Sequence, residues 1–350
     1  MKMLDNAVTA RRTGSRFPLD SWERSLLALL VIEIIGFCIG IPGFYDGIGS
    51  LLGLTQNFLP FGLVALGLGV VILTGGIDLS FGSMAGLGAM VMAELWQGLH
   101  LSIWLSALVG IGTGAILGLI NGMIITRLKT EPLIATLATS FIYGSIGTAL
   151  AGENPPSGFP DSFNALGQGE IANLLPYQLI LFVVLAVFFS LLMSRGAYGR
   201  KIVMVGYNVE AARYSGMRVA RLVCSAYVIS GTMAALAGIV LASYYSAVRA
   251  DMGDILLLTT ITMVVLGGVS IFGGEGSIAG VVMAVLLLGV LRQGMLIAGF
   301  SDMVTTMVTG AILLGAIAVR NLVSGRGTGL AILFLRLRKF GRGKVPEAAE

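Results

Sequence analysis

The chain has 350 residues, of which 56% are hydrophobic and 11% charged, with a formal net charge of +4. Soluble domains carry roughly 25% charged residues, so this composition excludes an ordinary water-soluble domain. The small positive charge is no nucleic-acid footprint, and one histidine with two well-separated cysteines, Cys38 and Cys224, gives no reason to expect a metal site, a disulfide or a cofactor.

Residues 1–25 are polar and basic and predict a cytoplasmic N-terminal tail. Leu26 to Phe44 then runs apolar with no small-residue cleavage site after it, so it reads as an uncleaved first membrane helix. Apolar runs of about 20 residues, the length that crosses a hydrocarbon core of about 30 Å, recur along the rest of the chain. Hydropathy predicts an all-α polytopic membrane protein of about ten transmembrane helices, at 26–44, 56–74, 79–97, 102–126, 132–151, 177–194, 222–243, 255–272, 277–298 and 303–320. Residues 26–320 thus form one transmembrane domain, and 321–350 a cytoplasmic C-terminal tail.

Lysine and arginine orient these spans. Basic clusters fall in the N-terminal tail (Arg11, Arg12, Arg16, Arg24), after the fourth span (Arg127, Lys129), after the sixth (Arg195 to Arg221) and in the C-terminal tail (Arg320 to Lys344). An even number of spans separates each cluster from the next, so all lie on the cytoplasmic side and both termini are inside. Segment 152–176 carries Glu153, Asp161 and Glu170 without Lys or Arg, as an external loop should. Arg249 is the exception, placed outside beside Asp251 and Asp254.

A weak internal repeat is visible. GGIDLSFGSMAG at 75–86 is echoed by GGEGSIAG at 273–280, and TGAIL at 113–117 recurs at 309–313. Both copies begin where a helix descends to the cytoplasmic side, so the repeat is expected to be parallel rather than inverted.

The segment VILTGGIDLSFGSMAG holds the most unusual chemistry. Gly75 and Gly76 interrupt an apolar run, and Asp78, Ser80 and Ser83 follow. A carboxylate at a helix centre costs about 2.5–3.5 kcal/mol on insertion scales, so it should face protein or water. Freed backbone groups are tolerated at this depth only in a protein interior or along a wet cavity. Two compatible readings follow: Asp78 or Ser80 caps the next helix, or a discontinuous helix borders a translocation path. The second break, LGGVSIFGGEGSIAG at 266–280, includes Gly267, Gly268, Gly273, Gly274 and Glu275; Glu275 lies at a cytoplasmic mouth or stabilises a helix N-terminus.

The ladder Gly110, Gly114, Gly118, Gly122 makes one smooth groove, expected for helix packing. Asn121 and Thr113 flank it and offer hydrogen bonds to a polar solute. Glu33 and Glu94 are further carboxylates within or near spans, and Trp96 and Trp104 read as interface anchors. The basic stretch 195–221 holds Glu210, Ala211 and Ala212 in an expected short helix ending near Gly216, with a small-residue face that a cytoplasmic partner can grip.

Four segments carry a resemblance: GGIDLSFGS (75–83), GLINGMIITRLKTEPLIATLAT (118–139), GYNVEAARYSGM (206–217) and LGGVSIFGGEGSIAG (266–280). In this order and spacing they resemble the permease subunits of ribose-type ABC importers, within the branched-chain amino acid/ribose permease superfamily, over roughly residues 25–320. That family also serves xylose, galactose, arabinose, rhamnose and autoinducer-2. The resemblance implies a bacterial inner-membrane permease that forms the pathway for a monosaccharide or related solute. It implies three partners: a tandem ATP-binding subunit, a periplasmic sugar-binding protein and a second permease copy. By the same likeness Asn208, Glu210, Ala211, Ala212, Ser215 and Gly216 form the helix that couples to the ATPase. Gly75, Gly76, Asp78, Ser80, Ser83, Asn121 and Thr136 border the path. The chain departs from the family at EPL (131–133), where a Pro-Pro or Pro-Phe pair is commoner, and at Thr-Thr-Ile-Thr (259–262), where Ala-Ala is frequent. VSIFGG resembles rhamnose-type permeases and the start of the chain autoinducer-2 permeases, which leaves the solute open.

The chain should not itself hydrolyse ATP, because its Gly343-Lys344 pair is followed by Val345 rather than Ser or Thr. An ion-coupled secondary transporter needs a buried relay of protonatable groups. A membrane enzyme needs a nucleophile–base or metal cluster. Neither pattern is present in the sequence.

Overall fold

The computed structural model describes residues 20–152 and 155–323. Each expected span contains a helix. In chain order these are α1 (Ser21–Gly40), α2 (Ile48–Gly53), a 3₁₀ turn (Leu54–Asn57), α3 (Leu59–Leu73), α4 (Phe81–Gln97), α5 (Ile103–Arg127), α6 (Pro132–Ala151) and α7 (Asp161–Gln168). A short antiparallel hairpin follows, β1 (Glu170–Ile171) paired with β2 (Leu175–Pro176). Then come α8 (Tyr177–Ser194), α9 (Ala197–Tyr207), α10 (Val209–Tyr214), α11 (Val219–Tyr245), α12 (Leu256–Leu266), α13 (Ile278–Ile297) and α14 (Asp302–Val323).

Five of these helices, α5, α6, α8, α11 and α13, are long and apolar enough to cross a membrane; α2 and α3, bent by 56° at their junction, make a sixth if taken as one span. The other expected spans are modified for physical reasons. α1 carries Glu23, Arg24 and Glu33 within its 20 residues, and α4 is 17 residues long because the chain ahead of it runs without regular structure. α12 stops after 11 residues at the glycines of the second break. The basic tails at 1–19 and 324–350 lie outside the described residues.

The bundle is built around α3, every residue of which is buried. With no solvent or lipid to face, it needs no amphipathic pattern. Its glycines admit neighbours: a Cβ on Gly67 would meet Met233 of α11 at 2.9 Å, and one on Gly62 would meet Phe182 of α8 at 2.7 Å. The ladder on α5 meets α11. Gly114 faces the Gly231 carbonyl, Gly118 the Tyr227 carbonyl and Gly122 the Cys224 Cα, contacts that leave no room for side chains. Helices in lipid gain little from apolar burial, so backbone approach of this kind supplies dispersion contacts instead. Outward faces are apolar, as with Leu108, Phe141, Val184 and Ile39, which suits lipid.

The helix starts reproduce the repeat. Ser21 and Val219 are 198 residues apart, Leu59 and Leu256 are 197, Phe81 and Ile278 are 197, and Ile103 and Asp302 are 199. Thus α1, α3, α4 and α5 correspond in order to α11, α12, α13 and α14. Packing repeats as well: α4 lies against α11 through Gly88 and Ala235, and α13 lies against α1 through Gly294 and Phe37.

The segment after α6 forms a cap that hydropathy did not foresee. Phe159 and Phe163 stack with each other and with Trp96 and Trp104. The Ser243 hydroxyl donates to the Phe163 carbonyl and accepts from the Gly167 amide, which ties α7 to the end of α11. Trp96 and Trp104 therefore hold this cap. Arg249 is paired bidentately with Asp251, at 3.0 and 2.8 Å, which offsets the one cation out of pattern.

Candidate functional site

Two breaks and one junction make up the site. After α3 ends at Leu73 the chain turns at Thr74–Gly75 and runs without regular structure to Ser80, the residue before α4. Gly75 adopts φ +81°, a conformation open to glycine at no steric cost. Irregular backbone inside a bundle exposes amides and carbonyls that need partners, and two neighbouring helices supply them. The Ile77 carbonyl accepts from Tyr227 of α11 (3.1 Å) and Thr136 of α6 (3.3 Å). The Leu79 amide donates to Thr136 Oγ1 at 3.1 Å.

Asp78 is fully buried at the centre of this lattice. Its Oδ1 accepts from the Ser80 amide (2.9 Å) and hydroxyl (2.7 Å), and its Oδ2 from Ser230 of α11 (2.8 Å). Asn121 of α5 donates to Ser80 Oγ at 2.7 Å and accepts from Tyr143 of α6 at 3.0 Å. The donors to Asp78 are hydroxyls and one amide, not a cation. Hydrogen bonds to a charged group contribute about 1.5–3 kcal/mol each, enough to offset much of the burial cost. Asp78 therefore bonds Ser80 itself rather than the later amides of α4, so it braces the break where a helix cap was one expectation. Ser80, Asn121 and Thr136 are also fully buried, and Ser83, one turn into α4, is half-buried opposite Gly144 of α6. Structure brings together Asp78, Ser80, Asn121 and Thr136, and adds Tyr143, Tyr227 and Ser230. Those three sit singly in apolar helices, so no local pattern marks them.

The second break, 267–277, runs from α12 to α13. Gly268, Gly273, Gly274 and Gly276 all have positive φ, at 89°, 82°, 75° and 140°. Gly267 is buried against Gly280 and Val281 of α13. The two breaks touch: a Cβ on Gly273 would lie 2.5 Å from the Gly75 amide nitrogen, and the Gly274 amide donates to the Leu73 carbonyl at 3.0 Å.

The basic stretch 197–214 holds two helices, where sequence reading expected one. In α10, the Asn208 side chain accepts from the Ala211 amide at 2.9 Å as an N-cap, and Glu210 pairs with Arg213. Ser215 bonds back to the Ala211 carbonyl, and Gly216 ends the helix at φ +75° with open space around its Cα. Ala211 is exposed, whereas Ala212 is fully buried with Val205 and Val219. Ala212 thus anchors α10 rather than adding to its outward face. In the last turn of the helix before it, α9, Gly206 abuts the Leu73 carbonyl and the Gly274 amide. Tyr207 donates to Glu275 Oε1 at 3.2 Å. One short turn of α9 therefore touches both breaks.

Glu33 lies on α1, far from this lattice, and its carboxylate oxygens are enclosed without a hydrogen-bond partner among the described residues. A groove of about 520 Å³ is lined by Trp104 of α5, Ala165 and Leu166 of α7, and Tyr177, Ile180 and Val184 of α8. Its lining shares no residue with either break.

Comparison with known proteins identifies the family. Over 311 residues, 86% of this chain and 92% of the relative, the sequence is 38% identical to the autoinducer 2 import system permease protein LsrD of Salmonella typhi. It is equally similar, at 38%, to the proteins of that name from Klebsiella pneumoniae and Yersinia enterocolitica. No solved structure matches. Residues 50–317, which contain both breaks and the α9–α10 stretch, match the family described as branched-chain amino acid transport system, permease component. The chain belongs to that permease family, as its four motifs had indicated.

Proposed function

We propose that this chain is the pathway-forming permease subunit of an ATP-driven importer for a small, uncharged, hydroxyl-rich solute of the autoinducer-2 or monosaccharide kind. The similarity to LsrD along 86% of the chain carries the reading. The chemistry of the first break supports it: amides and hydroxyls surround Asp78 there, without the cation that recognition of an anionic solute would call for. The partners are a tandem ATPase in the cytoplasm, a solute-binding protein outside and a second permease. Ten passes with both ends inside fit the alternation of basic and acidic loops. Asn208, Glu210, Ala211, Ser215 and Gly216 meet the ATPase, with Ala212 beneath them, and the two breaks border the path. Specificity rests mainly with the binding protein, so the pore need only offer a weakly polar route.

Reconstitution tests this. The chain, with the ATPase, binding protein and any second permease encoded beside it, is placed in liposomes containing ATP, and uptake of labelled autoinducer-2, ribose and rhamnose is followed. Uptake of one of them that needs hydrolysable ATP is expected. Uptake that persists with a hydrolysis-dead ATPase, or follows an ion gradient instead, would overturn the reading in favour of a secondary transporter.

A further inference from the structure

The two breaks occupy equivalent places in the repeat yet are held in opposite ways. The first is pinned from three directions. Thr136 on α6, Asn121 on α5 and both Tyr227 and Ser230 on α11 fix residues 77–80. All three are long helices, and α5 and α11 are locked to each other by glycine-mediated backbone contact. Moving this segment would break several buried hydrogen bonds at once, each group costing about 1–3 kcal/mol if left unsatisfied.

The helices flanking the two breaks start 197 residues apart, which places Glu275 opposite Asp78. Asp78 is fully buried, whereas Glu275 is exposed and accepts from Tyr207 at the end of α9, so the carboxylate of the second copy does not brace its break from within the bundle. That loop is bonded largely to itself: the Ser270 amide to the Glu275 carbonyl (2.8 Å), Gly273 to Ser270 (2.9 Å) and Ala279 to the Ser277 hydroxyl (3.1 Å). Its contacts beyond itself include the Leu73 carbonyl, Gly75 and the end of α9. Four positive-φ glycines let its backbone reach conformations closed to other residues. Phe272 at its tip is 77% exposed, while Asp78 and Ser80 are fully enclosed.

At the junction, Gly206 and Tyr207 of α9 press on this looser loop. A Cβ on Gly273 would come within 3.2 Å of the Gly206 Cα, and one on Gly274 within 2.9 Å of the Tyr207 Cα. Such contacts between backbones transmit displacement without the slack of long side chains. The α9 helix leads directly into α10, and Asn208 both ends the one and caps the other.

We propose that loop 267–277 is the moving gate of the pathway, that segment 74–80 is its fixed counterpart, and that Gly206 and Tyr207 are the positioning residues that drive the gate when α10 is displaced. This rests on the reading of the chain as an ATPase-coupled permease. A push on α10 shifts the α9 terminus, which bears on Gly274 and Glu275; the braced first break serves as the stationary surface against which the gate opens and closes.

Hydrogen exchange on the assembled complex in nanodiscs, with and without ATP plus vanadate, tests the division of labour. Peptides covering 267–277 should change protection on nucleotide trapping, and those covering 74–80 should not. In Gly206→Ala, and separately in Tyr207→Ala, whose side chain is largely exposed, the 267–277 change should shrink. Solute moved per ATP hydrolysed should then fall on the order of 5-fold or more while ATP turnover persists. Equal changes in both breaks, no change in 267–277 during active transport, or wild-type coupling in both variants would each overturn the proposal. Parallel loss of transport and ATP turnover in both assembled variants would do the same, since that marks a merely structural role. Absence of ATP-dependent uptake by the wild-type complex is a different failure, and it would sink the functional reading itself.

Discussion

Gly273 sits against Gly75, with 2.5 Å between the place of its absent Cβ and the Gly75 amide nitrogen, although the two residues are 198 apart in the chain. They head the same motif in the two copies of the repeat, so the copies meet at their shared weak point. Gly273→Ala would force a side chain both onto backbone and into φ +82°. A strained backbone of this kind costs about 1–3 kcal/mol. A clear drop in the thermal midpoint of the purified protein is expected, and an unchanged midpoint would show that the junction is looser than described.

Asp78 holds two hydroxyls and an amide that have no water to turn to. Asp78→Ala should destabilise by several kcal/mol, since each stranded polar group costs about 1–3 kcal/mol. Asp78→Asn keeps the shape and one acceptor oxygen, and should retain most of the stability. Denaturation in mild detergent compares them; equal losses in the two variants would contradict the hydrogen-bond account.

Two glycines of α5 offer a matched comparison. Gly114 lies on the Gly231 carbonyl, while nothing is within 4 Å of a Cβ at Gly112. Gly114→Ala should separate α5 from α11 and cost about 1–3 kcal/mol, in the range for overpacking. Gly112→Ala should be neutral or slightly stabilising through helix propensity. Expression level and thermal midpoint read both, and similar behaviour in the two would argue against the packing of this face.

Asn208 caps α10 through the Ala211 amide. Asn208→Ala should cost about 1 kcal/mol, confined to that short helix. Faster amide exchange at 210–214 with no change in the global midpoint is the expected signature. A global loss of stability would mean that α10 is more deeply integrated than its exposure implies.

The loop between α11 and α12 gives a pH dependence of definite sign. Hydrogen bonding from Arg249, together with its charge, holds the Asp251 carboxyl below the usual range, while partial burial and the neighbouring Asp251 charge push Asp254 up. A lowered carboxyl contributes stability above its unfolded pKa and loses it as pH falls through the folded value; a raised one contributes only at low pH and loses it as pH rises. Asp254→Asn should therefore raise the thermal midpoint at pH 7, with the gain vanishing towards pH of about 4. Asp251→Asn should lower the midpoint slightly at pH 7, because exposed ion pairs contribute little. A pH series on both variants checks the opposite signs.

Much of the architecture was legible in the sequence because the bilayer imposes simple rules. Apolar run length placed a helix in each expected segment, of which five, or six with the bent pair, are long and apolar enough to span; α12 stops six residues short of its expected end, at Gly267. Hydropathy averages over a window and cannot see a backbone that turns inside an apolar stretch. Gly75 and Gly76 marked the first break, and Asp78 and Ser80 its chemistry, because a carboxylate in that setting demands explanation. The glycine ladder announced close packing but not its partner on α11.

The sequence by itself determined a helical membrane protein with two glycine-rich breaks, a basic stretch between its two halves and membership of its permease family. Each follows from local composition, spacing or motif order. Only the tertiary structure decided that Tyr143, Tyr227 and Ser230 complete the lattice around the first break, that the two breaks touch, and that α9 bears on both. Those relationships join residues between 22 and 201 positions apart, and they depend on which helix faces approach one another, which no local periodicity records.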